Sequence, residues 1–165
     1  MNENEFDSWY ASSYSRILAQ VYAMVGSRDE AEECVQEAFA RAWQHRRSLS
    51  HDGHPDAWVR TCAYRLAVSR WRKFGRRRGH GQVETPVVAP SDDRVVLVSA
   101  LRQLPESQRR AVVLHHLADL SVDDVAAETG APVGTVKARL SRGRAALAAL
   151  LSEPEPPTSV GGSHV

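Results

Sequence analysis

Residues 121–144 read Ser121-Val122-Asp123-Asp124-Val125-Ala126-Ala127-Glu128-Thr129-Gly130-Ala131-Pro132-Val133-Gly134-Thr135-Val136-Lys137-Ala138-Arg139-Leu140-Ser141-Arg142-Gly143-Arg144. Ser121 offers a hydroxyl cap, and Asp124 follows three residues later, so a helix starts there. Gly130 permits the left-handed turn that ends it, and Pro132 suits the start of a second helix. Ala126, Gly130 and Val136 then have the offsets of a helix-turn-helix: a small residue at the crossing, glycine in the turn, a β-branched residue in the shared core. On the second helix Val136, Leu140, Gly143 and Leu147 fall on one side and pack inward. Gly134, Ala138, Ser141 and Ala145 lie opposite, all small. Lys137 and Arg144 flank one edge of that face; Thr135, Arg139 and Arg142 flank the other. A small floor between cationic rims fits a helix inserted in a DNA major groove, where rims neutralise phosphates and Lys137 and Arg142 reach guanine acceptors.

Outward from this motif, charge is segregated. Over 165 residues, 21 Lys and Arg against 20 Asp and Glu leave a net charge of +1, an average that hides the distribution. Residues 60–78 hold Arg60, Arg65, Arg70, Arg72, Lys73, Arg76, Arg77 and Arg78 and no carboxylate, and residues 129–152 also lack acids. Asp29, Glu30, Glu32, Glu33 and Glu37 form one acidic block, and Asp123, Asp124 and Glu128 another. Two basic surfaces with acidic neighbours suggest two nucleic-acid contacts and an acidic face for a different partner. The arginine-rich stretch is interleaved with Tyr64, Trp71 and Phe74, a pattern suited to single-stranded or melted DNA. Trp58 reads as core, while Trp71 reads equally as core or as a stacking platform.

The remaining pattern is helical. Phe6, Tyr10, Ile17, Val21 and Met24 repeat at roughly 3.6-residue spacing up to Gly26. A second helix starts near Asp29, which can cap it, with Val35, Ala38, Phe39 and Ala42 on one stripe. The polar stretch 45–55 reads as a loop. A third helix runs from about Asp56 to Phe74, its apolar side made by Trp58, Cys62 and Leu66, with Tyr64, Val68 and Trp71 as a second stripe. Residues 75–93 have no period, three glycines and two prolines. Leu97, Leu101 and Leu104 resume the helical repeat, and Pro105 opens another helix to about Leu117. The expected architecture is all-α: a helical unit over 1–78, a flexible linker over 79–93, a helix-turn-helix unit over 94–151 and a disordered tail over 152–165.

Several classes are disfavoured. No segment is long and apolar enough to span a bilayer, and the acidic opening Met1–Glu5 is unlike a secretory leader. Cys34 and Cys62 form no CxxC pair and read as buried thiols of a reducing cytosol. Phosphate-loop, nucleophile-elbow and HExxH motifs are all missing, so no enzyme chemistry is indicated. No ligand spacing joins His45, His51 or His54 to a cysteine, and the adjacent His115 and His116 point about 100° apart on a helix, so neither a metal nor a cofactor is expected. A stand-alone DNA-binding regulator would explain residues 105–150 but leave the 29–74 pattern unexplained.

That pattern carries a resemblance. Asp29-Glu30-Ala31-Glu32-Glu33-Cys34-Val35-Gln36-Glu37-Ala38-Phe39-Ala40-Arg41-Ala42-Trp43, then Ala57-Trp58-Val59-Arg60 leading to Ser69-Arg70-Trp71-Arg72-Lys73, resembles region 2 of extracytoplasmic-function (ECF) sigma factors of the sigma-70 family. Leu104-Pro105-Glu106-Ser107-Gln108-Arg109-Arg110-Ala111-Val112-Val113-Leu114 and Pro132–Arg144 are similar to their region 4, and Ser69–Lys73 resembles the short actinobacterial branch called the SigE family. Arg65 and Ser69 depart from the asparagine and aspartate common there. The resemblance implies a non-catalytic, cytoplasmic subunit of RNA polymerase that selects a subset of promoters and helps melt them. By the same resemblance, Glu33, Gln36, Glu37 and Arg41 meet the clamp helices of the largest polymerase subunit, and region 4 meets the flap of the second-largest. The loop with His51, Asp52 and His54 captures a base of the minus-ten element, and Arg65, Arg70, Trp71, Arg72 and Lys73 hold its non-template strand. Thr135, Lys137, Ala138, Arg139, Ser141, Arg142 and Arg144 read the minus-thirty-five element. An anti-sigma factor is a further partner the family allows.

Overall fold

The computed structural model describes residues 1–74 and 93–152, all of whose regular structure is helical. The expected linker and tail, and Arg76, Arg77 and Arg78, lie outside the described residues apart from Asp93 and Ser152 at their edges.

Helix α1 (Glu3–Val25) starts from a reciprocal cap: Asn2 Oδ1 accepts from the Glu5 amide at 2.8 Å, and the Asn2 amide donates to Glu5 Oε2 at 2.7 Å. It ends at Gly26, whose φ of +86° only glycine adopts without strain. Helix α2 (Arg28–Gln44) is capped by Ser27, whose Oγ accepts from the Glu30 amide, and not by Asp29. The hydroxyl one turn earlier reaches the unpaired amide, and Asp29 adds its charge to the first turn instead.

The stretch expected to be a loop contains a helix of about two turns, α3 (Arg46–Asp52), ended by Gly53 at φ +69°. Its anchor is Leu49, 3% exposed among otherwise polar residues, and Arg46 lies over the Trp43 ring at 4.0 Å. Polar composition masked a helix fixed by a single apolar side chain. Helix α4 (Pro55–Phe74) buries Val59, Arg60, Ala63, Tyr64 and Ala67, so its core stripe is rotated from the expected Trp58–Cys62–Leu66 line, which packs only at the margin. The small Ala63 and Ala67 let α4 approach α1 and α2 closely.

In the first helices Phe6, Trp9, Tyr10, Tyr14, Phe39 and Trp43 form an aromatic cluster with centroids 5.0–6.0 Å apart. The second half comprises α5 (Asp93–Arg102), α6 (Glu106–Val112), a π-helical turn (Val113–Leu117), α7 (Val122–Thr129) and α8 (Val133–Leu151). The helix expected from Pro105 to Leu117 therefore changes its winding midway. The wider turn lets His115 Nδ1 meet the Leu120 carbonyl at 2.7 Å and leads to Asp119 at φ +55°.

The two halves pack against each other. One continuous core joins Ile17, Val21 and Met24 of the first half to Leu101, Val113 and Leu114 of the second, and α1 packs on α5, α6 and the π turn. At the junction a Cβ on Gly26 would lie 2.8 Å from the Arg102 side chain, so the end of α1 is bare backbone where it meets the end of α5.

Candidate nucleic-acid and polymerase interfaces

The helix-turn-helix is built as its residues predict. Ser121 Oγ accepts from the Asp124 amide at 3.1 Å, and Gly130 takes φ +69° between α7 and α8. Val125, Ala126, Val136 and Leu140 are buried together. Gly143 is buried too, and a Cβ there would lie 2.7 Å from Val112 Cγ2, so this glycine lets α8 lie directly on α6. With that face fixed inward, Gly134, Ala138, Ser141 and Ala145 are exposed in a row. Thr135, Lys137, Arg142 and Arg144 are exposed beside them, and Arg139 is half-buried. No residue of α8 is acidic, so the exposed face presents an uncompensated positive field.

On α4, Arg65, Trp71, Arg72 and Lys73 are exposed, and Trp71 retains 71% of its surface. The open alternative for Trp71 thus resolves against core. Phe74, 58% exposed, lies one turn further on. Arg70 is half-buried because its Nη1 donates to Glu33 Oε2 at 2.6 Å, and that contact raises its affinity for the proton further. Arg60, counted in the basic run, belongs to the interior: 4% exposed, it donates to Gln20 Oε1 at 2.9 Å and to Glu128 at 2.6 Å. His54 is exposed, whereas the side chains of His51 and Asp52 lie outside the described residues.

Helix α2 turns Val35, Ala38, Phe39 and Ala42 inward and Glu33, Gln36, Glu37 and Arg41 outward, with Glu37 accepting from Arg41 at 3.1 Å. This exposed, mixed-charge stripe is about two and a half turns long. Cys34 is buried and Cys62, expected to be buried too, is half-buried at the margin of the core; burial pushes both thiols above their ordinary range.

Sequence reasoning missed the seam between the halves. Beside Arg60 and Glu128, the Tyr64 hydroxyl donates to Glu106 Oε1, and Arg110 stacks on the Tyr64 ring at 4.3 Å. Burial, and next the Glu106 carboxylate, push the Tyr64 hydroxyl well above its ordinary range, so it stays a donor. Two clefts along this seam share Tyr64, Glu106 and Arg110; Arg139 of α8 lines one, and Arg65 and Arg72 of α4 line the other. The signal was present in the spacing: Arg60 and Tyr64 are four apart and flank Val59 and Ala63, inside the buried arc.

Two cationic helical surfaces on an all-α scaffold define a DNA-reading protein, and comparison with known proteins fixes its family. Sigma-70 region 2 matches residues 9–78 and Sigma-70, region 4 matches residues 94–147. The ECF RNA polymerase sigma factor SigW of Bacillus subtilis is 30% identical over 151 residues, covering 80% of this chain and 81% of SigW. EcfG of Rhodopseudomonas palustris is 33% identical over 144 residues, covering 82% and 78%. The sigma factor RpoE of Bartonella quintana, solved in complex with the anti-sigma factor NepR, superposes with a TM-score of 0.77 at 27% identity, covering 92% of this chain and 99% of RpoE. The chain belongs to the ECF sigma factors of the sigma-70 family, which bind RNA polymerase and recognise promoters. Among the described residues no helix is long and apolar enough to cross a membrane.

Proposed function

We propose a division of labour among these surfaces within promoter recognition. The α2 stripe of Glu33, Gln36, Glu37 and Arg41 docks on the polymerase clamp helices, and the helix-turn-helix unit meets the flap. Arg65, Trp71, Arg72 and Lys73, with Arg70, hold the non-template strand of the minus-ten element, cations along the backbone and Trp71 on a base. The segment around His51, Asp52 and His54 takes up an unstacked base. Helix α8 reads the minus-thirty-five element with Lys137, Ala138, Ser141 and Arg142, while Thr135, Arg139 and Arg144 contact phosphates.

The exposed small floor of α8 between cationic rims carries this reading, because it is the shape and charge a major groove accepts. In it the chain is a cytoplasmic, non-catalytic initiation subunit: binding and positioning suffice, and polymerase supplies the chemistry. The likeness to Bartonella RpoE supports an anti-sigma factor as a further partner.

Purified chain and core polymerase test the assignment. The chain alone should bind promoter duplex poorly, and adding core polymerase should give specific binding and a defined transcript start. Tight, sequence-specific duplex binding without polymerase would instead make the chain a stand-alone regulator.

A further inference from the structure

The two clefts beside the Tyr64–Glu106 hydrogen bond hold more positive charge than their surroundings balance. Arg110 borders both, Arg139 borders one, and Arg65 and Arg72 border the other. Glu106 is the one carboxylate on either lining, and it already accepts from the Tyr64 hydroxyl. Glu128, close by, is committed to Arg60 at 2.6 Å, with side chains 5% and 4% exposed. Among the described residues Arg16, Arg28, Arg41, Arg60 and Arg70 each have a carboxylate within 3.2 Å, and none of the four cleft arginines is in such a pair.

Arg110 carries the sharpest deficit. Its Nε is buried without a hydrogen-bond partner, and its Nη2 reaches only the Glu128 backbone carbonyl, at 3.5 Å. Its guanidinium lies 4.3 Å from the Tyr64 ring, a contact that supplies no counter-charge. Burial weakens its hold on the proton, yet an arginine in a protein stays charged. Buried polar groups are nearly always partnered, and a buried charge without a partner is costly. An anion seated against Arg110 removes that cost.

The lining also selects the kind of anion. The clefts measure about 460 and 360 Å³, within the roughly 300–1,000 Å³ of small-ligand sites. They adjoin at Arg110, so a ligand with two linked anionic groups can place one in each. Arg139 and the hydroxyls of Ser107 and Thr129 lie on one side, and Arg65, Arg72 and Ser69 on the other. Planar guanidinium forks match phosphate oxygens in pairs.

We propose that the adjoining clefts form a binding site for a small molecule carrying two linked phosphates, with Arg110 between the two groups. Arg65, Arg72 and Arg139 are also assigned to promoter DNA, so an occupied site withholds them from the DNA. This competition rests on the functional assignment above; the binding itself does not.

Calorimetry of the full chain with inorganic pyrophosphate, at fixed ionic strength, tests the site. One equivalent should bind at least about tenfold more tightly than inorganic phosphate or sulfate. Equally weak binding of all three marks an adventitious ion only and overturns the proposal. R110A should lose at least about tenfold in pyrophosphate affinity. Relieved of an unpaired buried charge, it should keep its helical circular dichroism. R110K, a point charge without the fork, should recover only part of the affinity, and it carries the comparison if R110A unfolds. Unchanged affinity in a folded variant overturns the site. So does a random single strand that binds the chain through Arg110 while pyrophosphate does not, since the clefts are then a nucleic-acid path. Promoter binding by the chain with core polymerase should weaken in pyrophosphate for wild type and not for R110A; binding that pyrophosphate leaves unmoved overturns the competition. If polymerase and chain bind no promoter, the functional assignment fails. If they bind it while calorimetry finds no site, only the site does.

Discussion

Arg70 of α4 donates to Glu33 of α2 at 2.6 Å, so a residue assigned to the DNA strand is held by one assigned to polymerase. The pair is substantially exposed, 37% and 69%, and such pairs contribute at most about 1 kcal/mol. Its disruption should therefore leave folding nearly intact while separating two functions. R70A should melt within a few degrees of wild type yet form far less open promoter complex. E33A should chiefly weaken capture by core polymerase. Melting curves, polymerase pull-down and permanganate footprinting together distinguish these outcomes.

Trp71 offers the same contrast more sharply. With 71% of its surface in water it contributes little to the core, so W71A should change stability by no more than about 0.5 kcal/mol. Loss of a stacking platform should cost about 1–3 kcal/mol in binding a single-stranded minus-ten oligonucleotide to holoenzyme. Fluorescence anisotropy of the oligonucleotide checks this.

Lys137 and Arg142 are both exposed at the rims of α8. If they touch base edges, K137A and R142A should each lose about 1–3 kcal/mol of holoenzyme binding and relax base preference at one position. R144A, on a phosphate, should weaken all sequences alike and lower the salt slope by about one. Competition binding against single-base variants at several salt concentrations separates the two behaviours.

Gly143 is the point at which α8 rests on α6, with Val112 Cγ2 only 2.7 Å from where a Cβ would stand. G143A should overpack this contact and cost about 1–3 kcal/mol, despite alanine's better helix propensity. The loss should show in denaturant midpoints, and V112A should relieve part of it.

Asp56 ties α4 to α1, accepting from Trp9 Nε1 at 2.7 Å and from Arg16 at 2.5 Å. Burial by itself would raise its carboxyl, but the hydrogen bonds from Trp9 and Arg16 outweigh burial and hold it below the ordinary 3.8. A lowered folded value means the contribution is fully present above pH 3.8 and vanishes as pH falls through that lower value. D56N should destabilise the chain at neutral pH, and the gap between D56N and wild type should close in acid. Melting temperatures measured down the pH scale read this directly.

Much of the architecture was legible because it follows from local chemistry. Ser121, Gly130, Pro132 and the Val136–Leu140–Gly143 spacing specify the helix-turn-helix without reference to anything distant, and the α2 stripe is as plain. What escaped depends on partners remote in sequence. Arg60 looks like its cationic neighbours until Glu128, 68 residues on, buries it. Leu49 gives no periodic signal, yet it is buried and anchors α3. The π turn at Val113–Leu117 widens a stretch that the residue spacing reads as continuous α-helix. Among the candidate site residues, exposure of the α8 face followed from the wheel, whereas Trp71 stayed open between core and stacking platform until its 71% exposure was seen, and the Glu33–Arg70 coupling needed α2 and α4 placed side by side.

The interior location of Arg60 and Glu128 also ties the seam to temperature. Stripping water from charged groups becomes less costly as temperature rises, and apolar burial, such as that of Ile17 against the second half, weakens on cooling. Both effects favour the packed arrangement in mild warmth and loosen it in the cold.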